Sequence, residues 1–176
     1  MAISAPTTRR RDTMYKQVGQ WLLAPLIIFG GMLAPAQARG AEDDAQAVRQ
    51  AATRFYAALN ALFSGAVAPM QAVWSHADDV SYMGPAGGMQ IGWKAVLAEW
   101  QTQAEKKLGG EIEPTDIHLT VGPSLAVMEN YERGKNTNLD GNAKDVSIRA
   151  TNVFRKEDGE WKMIGHHTDL LPGLAP

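Results

Sequence analysis

The chain has 176 residues, 45% hydrophobic and 20% charged, with 17 Lys+Arg, 19 Asp+Glu and no cysteine. These figures suit a globular domain with a sizeable core and exclude a disordered polymer. The lack of cysteine excludes disulfides, thiolate metal sites and a cysteine nucleophile.

The first segment reads as a targeting signal rather than part of the fold. Arg9, Arg10, Arg11 and Lys16 precede the apolar run "VGQWLLAPLIIFGGMLAPAQA", which closes on Ala36-Gln37-Ala38, the small-x-small pattern of a signal peptidase site. A membrane anchor is the competing reading, and Pro25, Gly30-Gly31, Pro35 and the Ala-x-Ala close weigh against it. The expectation is a cleaved signal over 1–38, a domain over 39–176, and a periplasmic or secreted product that leaves the membrane after cleavage. Translation from Met14 would leave only Lys16 in the basic region, and Asp12-Thr13-Met14 fit a twin-arginine signal poorly. Residues 39–176 carry 13 basic against 18 acidic residues, a net −5 with neutral histidines, which argues against a nucleic-acid partner.

From Asp43 to Leu62 apolar residues recur at three and four positions, which predicts a long amphipathic helix with Glu42, Asp43 and Asp44 at its start and Gly65 past its end. "VAPMQAVW" predicts a short second helix, "DDVSYMGP" a short strand broken at Gly84-Pro85, and "KAVLAEWQTQAEKK" a third helix stopping at Gly109-Gly110. Four long strands follow, separated by Gly122-Pro123, Asp140-Gly141-Asn142 and Asp158-Gly159. Helices first and a strand meander afterwards predict an α+β fold.

Two stretches carry a resemblance. One is Asp79, Val80, Tyr82, Gly84, Pro85, Gly92 and Val96; the other is Arg149, Thr151, Val153, Phe154, Asp158, Gly159, Trp161 and His167. Together they resemble the SnoaL-like branch of the nuclear-transport-factor-two-like superfamily over roughly residues 43–171. The resemblance implies a curved antiparallel sheet wrapped around three N-terminal helices, forming a cone with one deep pocket. It also implies dimerisation through the sheet's outer face and no cofactor. The last two strands are also similar to the association domain of calcium/calmodulin-dependent kinase two, from which only the assembly theme carries over.

The superfamily holds isomerases, cyclases, epoxide hydrolases and dehydratases beside members with no known activity, so fold alone gives no function. Ketosteroid-isomerase-like members place a carboxylate base where this chain has Gly84, and an oxyanion-donating aspartate on the strand that here carries Thr151. Of the Asp-Arg-Asp set of the epoxide hydrolases, only Arg149 and Asp169 have counterparts.

In "EWKMIGHHTD" a regular strand puts Trp161, Met163, Gly165, His167 and Asp169 on one face, and the resemblance favours His167 as the pocket histidine. The expected catalytic group is therefore His167 with Asp169 orienting it, and Tyr82 nearby. The expected ligand-binding set is Tyr56, Trp74, Trp100, Tyr131, Arg149 and Thr151, with no metal, because two adjacent histidines point to opposite faces. Three readings stay open: a cone binding a small, largely apolar molecule; an isomerase, cyclase or hydratase using His167; and a structural or assembly module.

Overall fold

The computed structural model describes residues 33–137 and 140–170, with side chains from residue 40 onward. The expected signal segment lies outside the described residues as far as 32.

Helix α1 spans Leu33–Phe63, α2 Ala68–Val73 and α3 Trp93–Glu105; the strands are β1 Ser81–Met83, β2 Gln90–Ile91, β3 Glu111–Val121, β4 Leu125–Thr137, β5 Ala143–Glu157 and β6 Glu160–Asp169. The first helix starts ten residues before the expected Asp43, through an alanine-rich stretch that favours helix, with Pro35 tolerated in its first turn. Glu42, Asp43 and Asp44 thus lie inside the helix. Asp44 accepts from Lys156 Nζ at 2.6 Å and Trp161 Nε1 at 3.3 Å, tying α1 to the β5–β6 hairpin. Among the described residues no helix is long and apolar enough to cross a membrane.

The six strands form one open curved sheet in the order β2-β1-β6-β5-β4-β3. Every pair is antiparallel except β1–β6, which is parallel and brings Tyr82 beside His166. The Asp158-Gly159 turn of the β5–β6 hairpin has positive φ at both residues, 50° and 85°, as a tight two-residue hairpin demands. Arg155 on β5 holds Asp79 at 2.6 Å and Glu157 at 2.8 Å, fixing the entry to β1 against the sheet.

The helices lie on the sheet's inner face. Alternation on β4 and β5 turns Ala126, Met128, Ala150 and Phe154 inward, where they meet Phe55, Leu59 and Leu62 of α1 and Val96 and Trp100 of α3, all buried. Trp74, Trp100, Tyr82 and Phe55 form a run of aromatic contacts with centroids 4.3–6.4 Å apart.

Strand β6 is irregular. Val153 pairs with Gly165 but Phe154 pairs with Met163, so Ile164 is an extra residue with no partner of its own. Before this bulge Trp161 and Met163 face the core; after it His166 and Thr168 do, at 4% and 3% exposure, while His167 is exposed. The expectation that His167 and Asp169 share the inner face with Trp161 is corrected on this ground: one inserted residue inverts the phase of the strand.

Candidate functional site

The bulge leaves the expected residues on two sides of the sheet. Tyr131, Arg149, Thr151, His167 and Asp169 line a shallow depression of about 390 Å³ on the outer face, with His118 and Glu129. There Asp169 is engaged by Arg149, with Nη2 to Oδ2 at 2.6 Å and Nε to Oδ1 at 3.3 Å, and the guanidinium holds its carboxyl below the usual range. Arg133 lies 4.8 Å over the Tyr131 ring. Thr151 faces outward because its neighbours Ala150 and Asn152 take the inner positions, so the oxyanion-donor position implied by the resemblance is not met by Thr151.

Tyr82, Tyr56, Trp74 and Trp100 are inside. Tyr82 and Trp100 line a cavity of about 520 Å³ between the sheet and α1 and α3. Trp74 is buried core, with its ring centroid 6.0 Å from that of Trp100. The cavity is walled by Leu59, Phe63, Leu108, Ile112 and Ile148, and its polar lining includes Glu132, His166, Gln103 and Thr168.

Glu132, His166, Asn130 and Asn152 were not singled out by sequence reasoning. A signal existed for three of them. Counting in twos from Ala126 and Met128 reaches Asn130 and Glu132, and counting back from Phe154 reaches Asn152, so two strand faces that begin apolar end polar.

These groups form one chain of hydrogen bonds whose direction is set at its far end. Asn130 Nδ2 donates to the Tyr131 carbonyl at 2.9 Å; a carbonyl only accepts, so that end of the amide is nitrogen. Asn130 Oδ1 then accepts from Asn152 Nδ2 at 2.9 Å, and Asn152 Oδ1 faces His166 Nδ1 at 2.7 Å. Nδ1 therefore carries the ring hydrogen. Burial, and then the neighbouring His167, push the His166 imidazolium down to about 3, so at neutral pH the ring is uncharged and Nε2 presents a bare lone pair.

That lone pair meets a carboxyl. His166 Nε2 and Glu132 Oε1 are 3.7 Å apart, beyond hydrogen-bond length. Burial lifts Glu132 to about 7, against the pull of the Tyr56 hydroxyl, which donates to Oε1 at 3.1 Å. Two acceptors facing each other favour a shared hydrogen, on a protonated Glu132 or on a ligand.

Tyr82 sits across from them, its ring stacked 5.8 Å from that of His166 at 6°. Gln103 Nε2 donates to its hydroxyl at 2.6 Å, and burial raises its pKa, which keeps the phenol protonated. Among the described residues the Tyr82 hydroxyl has no acceptor for its own hydrogen, which is left to donate into the cavity. Thr168 Oγ1 and Trp100 Nε1, both buried cavity-lining groups, likewise lack a hydrogen-bond partner among the described residues. The Cβ of any side chain at position 84 would overlap the Tyr82 hydroxyl, so a carboxylate base at Gly84 is incompatible with this phenol.

Asn152→Leu should cost about 2 kcal/mol, because it orphans His166 Nδ1 in the core and leaves Asn130 Oδ1 with only the Tyr56 hydroxyl at 3.3 Å. Urea unfolding measures the loss, and His166 ring nitrogen shifts should show the fixed tautomer released.

A family model described as SnoaL-like domain matches residues 48–170. No curated protein matches the chain. Among solved structures, a proposed dehydratase of the NTF2-like family from Streptomyces avermitilis is 24% identical with a TM-score of 0.67, the match covering 77% of this chain and 99% of that one. A proposed calcium/calmodulin-dependent protein kinase type II association domain from Thiobacillus denitrificans is 29% identical with a TM-score of 0.60, covering 69% and 92%. An NTF2-like protein with a cystatin-like fold from Novosphingobium aromaticivorans is 19% identical with a TM-score of 0.62, covering 81% and 90%.

Proposed function

The chain belongs to the SnoaL-like domain family, and on that footing we propose that its cone binds a small, largely apolar molecule bearing one oxygen function and that Glu132 moves a proton on it. The observation that carries this reading is the meeting of Glu132 and the bare Nε2 of His166 at 3.7 Å in the cavity wall. A carboxyl lifted to about 7 is half ionised at neutral pH, which suits a group that must both take and return a proton. The acid/base role expected of His167 and Asp169 passes in this proposal to Glu132 and His166.

Glu132 would take a proton from carbon beside the ligand's oxygen function. Charge then grows on that oxygen, and the Tyr82 hydroxyl, whose own hydrogen is not taken by Gln103, is the donor available for it. Return of the proton to another carbon is an isomerisation; its delivery by Glu132 to a neighbouring hydroxyl, which then leaves as water while the double bond forms, is a dehydration. Export through residues 1–38 and pairing of two copies through the outer sheet face belong to the same proposal, resting on the Ala36-Gln37-Ala38 site and the exposed Tyr131.

Native mass spectrometry of the chain from its own source tests the binding, and transfer to heavy water tests the chemistry. A retained molecule that takes up carbon-bound deuterium on the protein, and not free in solution, is the expected result. A protein that carries nothing, or a retained molecule that does not exchange, would sink the reading.

A further inference from the structure

The far end of the same cavity carries charge that the proton-transfer reading does not use. Lys106, at the C-terminal cap of α3, and Lys144, the second residue of β5, both line the cavity and are exposed, so they reach its rim from the helical and the sheet walls. Neither has an ion-pair partner among the described residues. The carboxylate beside them, Asp145, faces Lys135 Nζ at 3.8 Å. Between rim and floor the wall is Phe63, Leu108, Ile112, Val146 and Ile148. At the floor stands Glu132, which at neutral pH would repel a second anion.

We infer that the ligand is an amphipathic carboxylate, its apolar body in the cone and its anionic end held at the rim between Lys106 and Lys144. The inference rests on the cavity being a ligand site, as proposed above. A carboxylate buried at the floor would meet Glu132 and lose its hydration without a cation to replace it. At the rim it keeps its water and gains two ammonium partners. The carbon that reacts is then the one remote from the carboxylate, set opposite Glu132 by the length of the apolar body.

Two probes of matched shape separate the rim from the cavity: naphthylacetate and the neutral naphthylethanol, titrated into the full chain at about pH 6, below the Glu132 pKa, following quenching of the tryptophans. Naphthylacetate should bind more tightly, and added salt should shrink its advantage. Lys106→Gln and Lys144→Gln should each weaken naphthylacetate about three- to fivefold, and the double variant about tenfold, with naphthylethanol unchanged. Equal affinities for the two probes in the unaltered chain, or lysine variants that leave naphthylacetate untouched, would overturn the anionic rim and leave the cavity standing. Failure of both probes to bind removes the cavity reading and this inference with it.

Discussion

Glu132→Gln should slow carbon-bound deuterium exchange of the retained molecule by about 10²–10⁴-fold while leaving its binding within a few fold. The amide keeps the shape of the carboxyl and still accepts from the Tyr56 hydroxyl through Oε1, so the network running through Asn130, Asn152 and His166 has no reason to rearrange. What is lost is the ability to take a proton. Tyr82→Phe tests the opposite role, since it removes a donor for developing charge and not the base, and should cost less. Exchange that survives in Glu132→Gln and vanishes in Tyr82→Phe would reassign the base.

The second large effect is on stability against pH, where Glu132 and His166 work in opposite senses. Between pH 4.5 and about 7 the folded chain keeps a proton on Glu132 that the unfolded chain has released, so this group's contribution falls as pH rises through that window. Between about pH 3 and 6.5 the unfolded chain takes up a proton that buried His166 refuses, so that contribution rises with pH. From 4.5 to 6.5 the two slopes oppose each other. The Glu132 window corresponds to about 3 kcal/mol and the wider His166 window to about 5 kcal/mol. Removing one should expose the other: Glu132→Gln should gain stability up to about pH 6.5 and hold it, whereas His166→Asn should lose stability from about pH 4.5 to 7. Urea unfolding across pH measures both, and parallel curves for the two variants would refute the opposed pair. A Glu132→Gln chain that is inactive yet more stable above pH 7 is the expected signature of a carboxyl kept in the core for its chemistry.

Much of the fold was legible because its signals are local. The turn pairs at Gly122-Pro123 and Asp158-Gly159 and the period-two alternation of β4 and β5 mark the hairpins without reference to anything distant. The two-residue strand β2 and the parallel pairing of β1 with β6 were not legible, since both depend on contacts far along the chain. The candidate site was half legible. Tyr82 follows from its position in the motif and Trp100 from the helical spacing of α3, but the choice between His166 and His167 turns on whether β6 is regular, and nothing in "KMIGHH" announces that Ile164 goes unpaired. Glu132 was hidden for another reason: in "ENYER" it is one of two acids and stands next to an arginine, a stretch that reads as solvated charge, and only the phase set by Ala126 and Met128 turns Glu132 inward while Glu129 faces out.

The bulge at Ile164 also lets the length of β6 vary without altering the cone. Deleting that one residue would set Met163 opposite Phe154 and Gly165 opposite Val153 with nothing between them, so strict alternation would return with His166 and Thr168 still facing inward. Keeping Ile164 but pairing it with Val153 would instead shift every later residue by one: Gly165 would come opposite Asn152, His166 would turn outward, and His167 would take the place of Thr168 opposite Ala150. Loss of the extra residue is thus silent for the cone, whereas its absorption into the ladder exchanges the inward-facing polar groups without changing a single one of them.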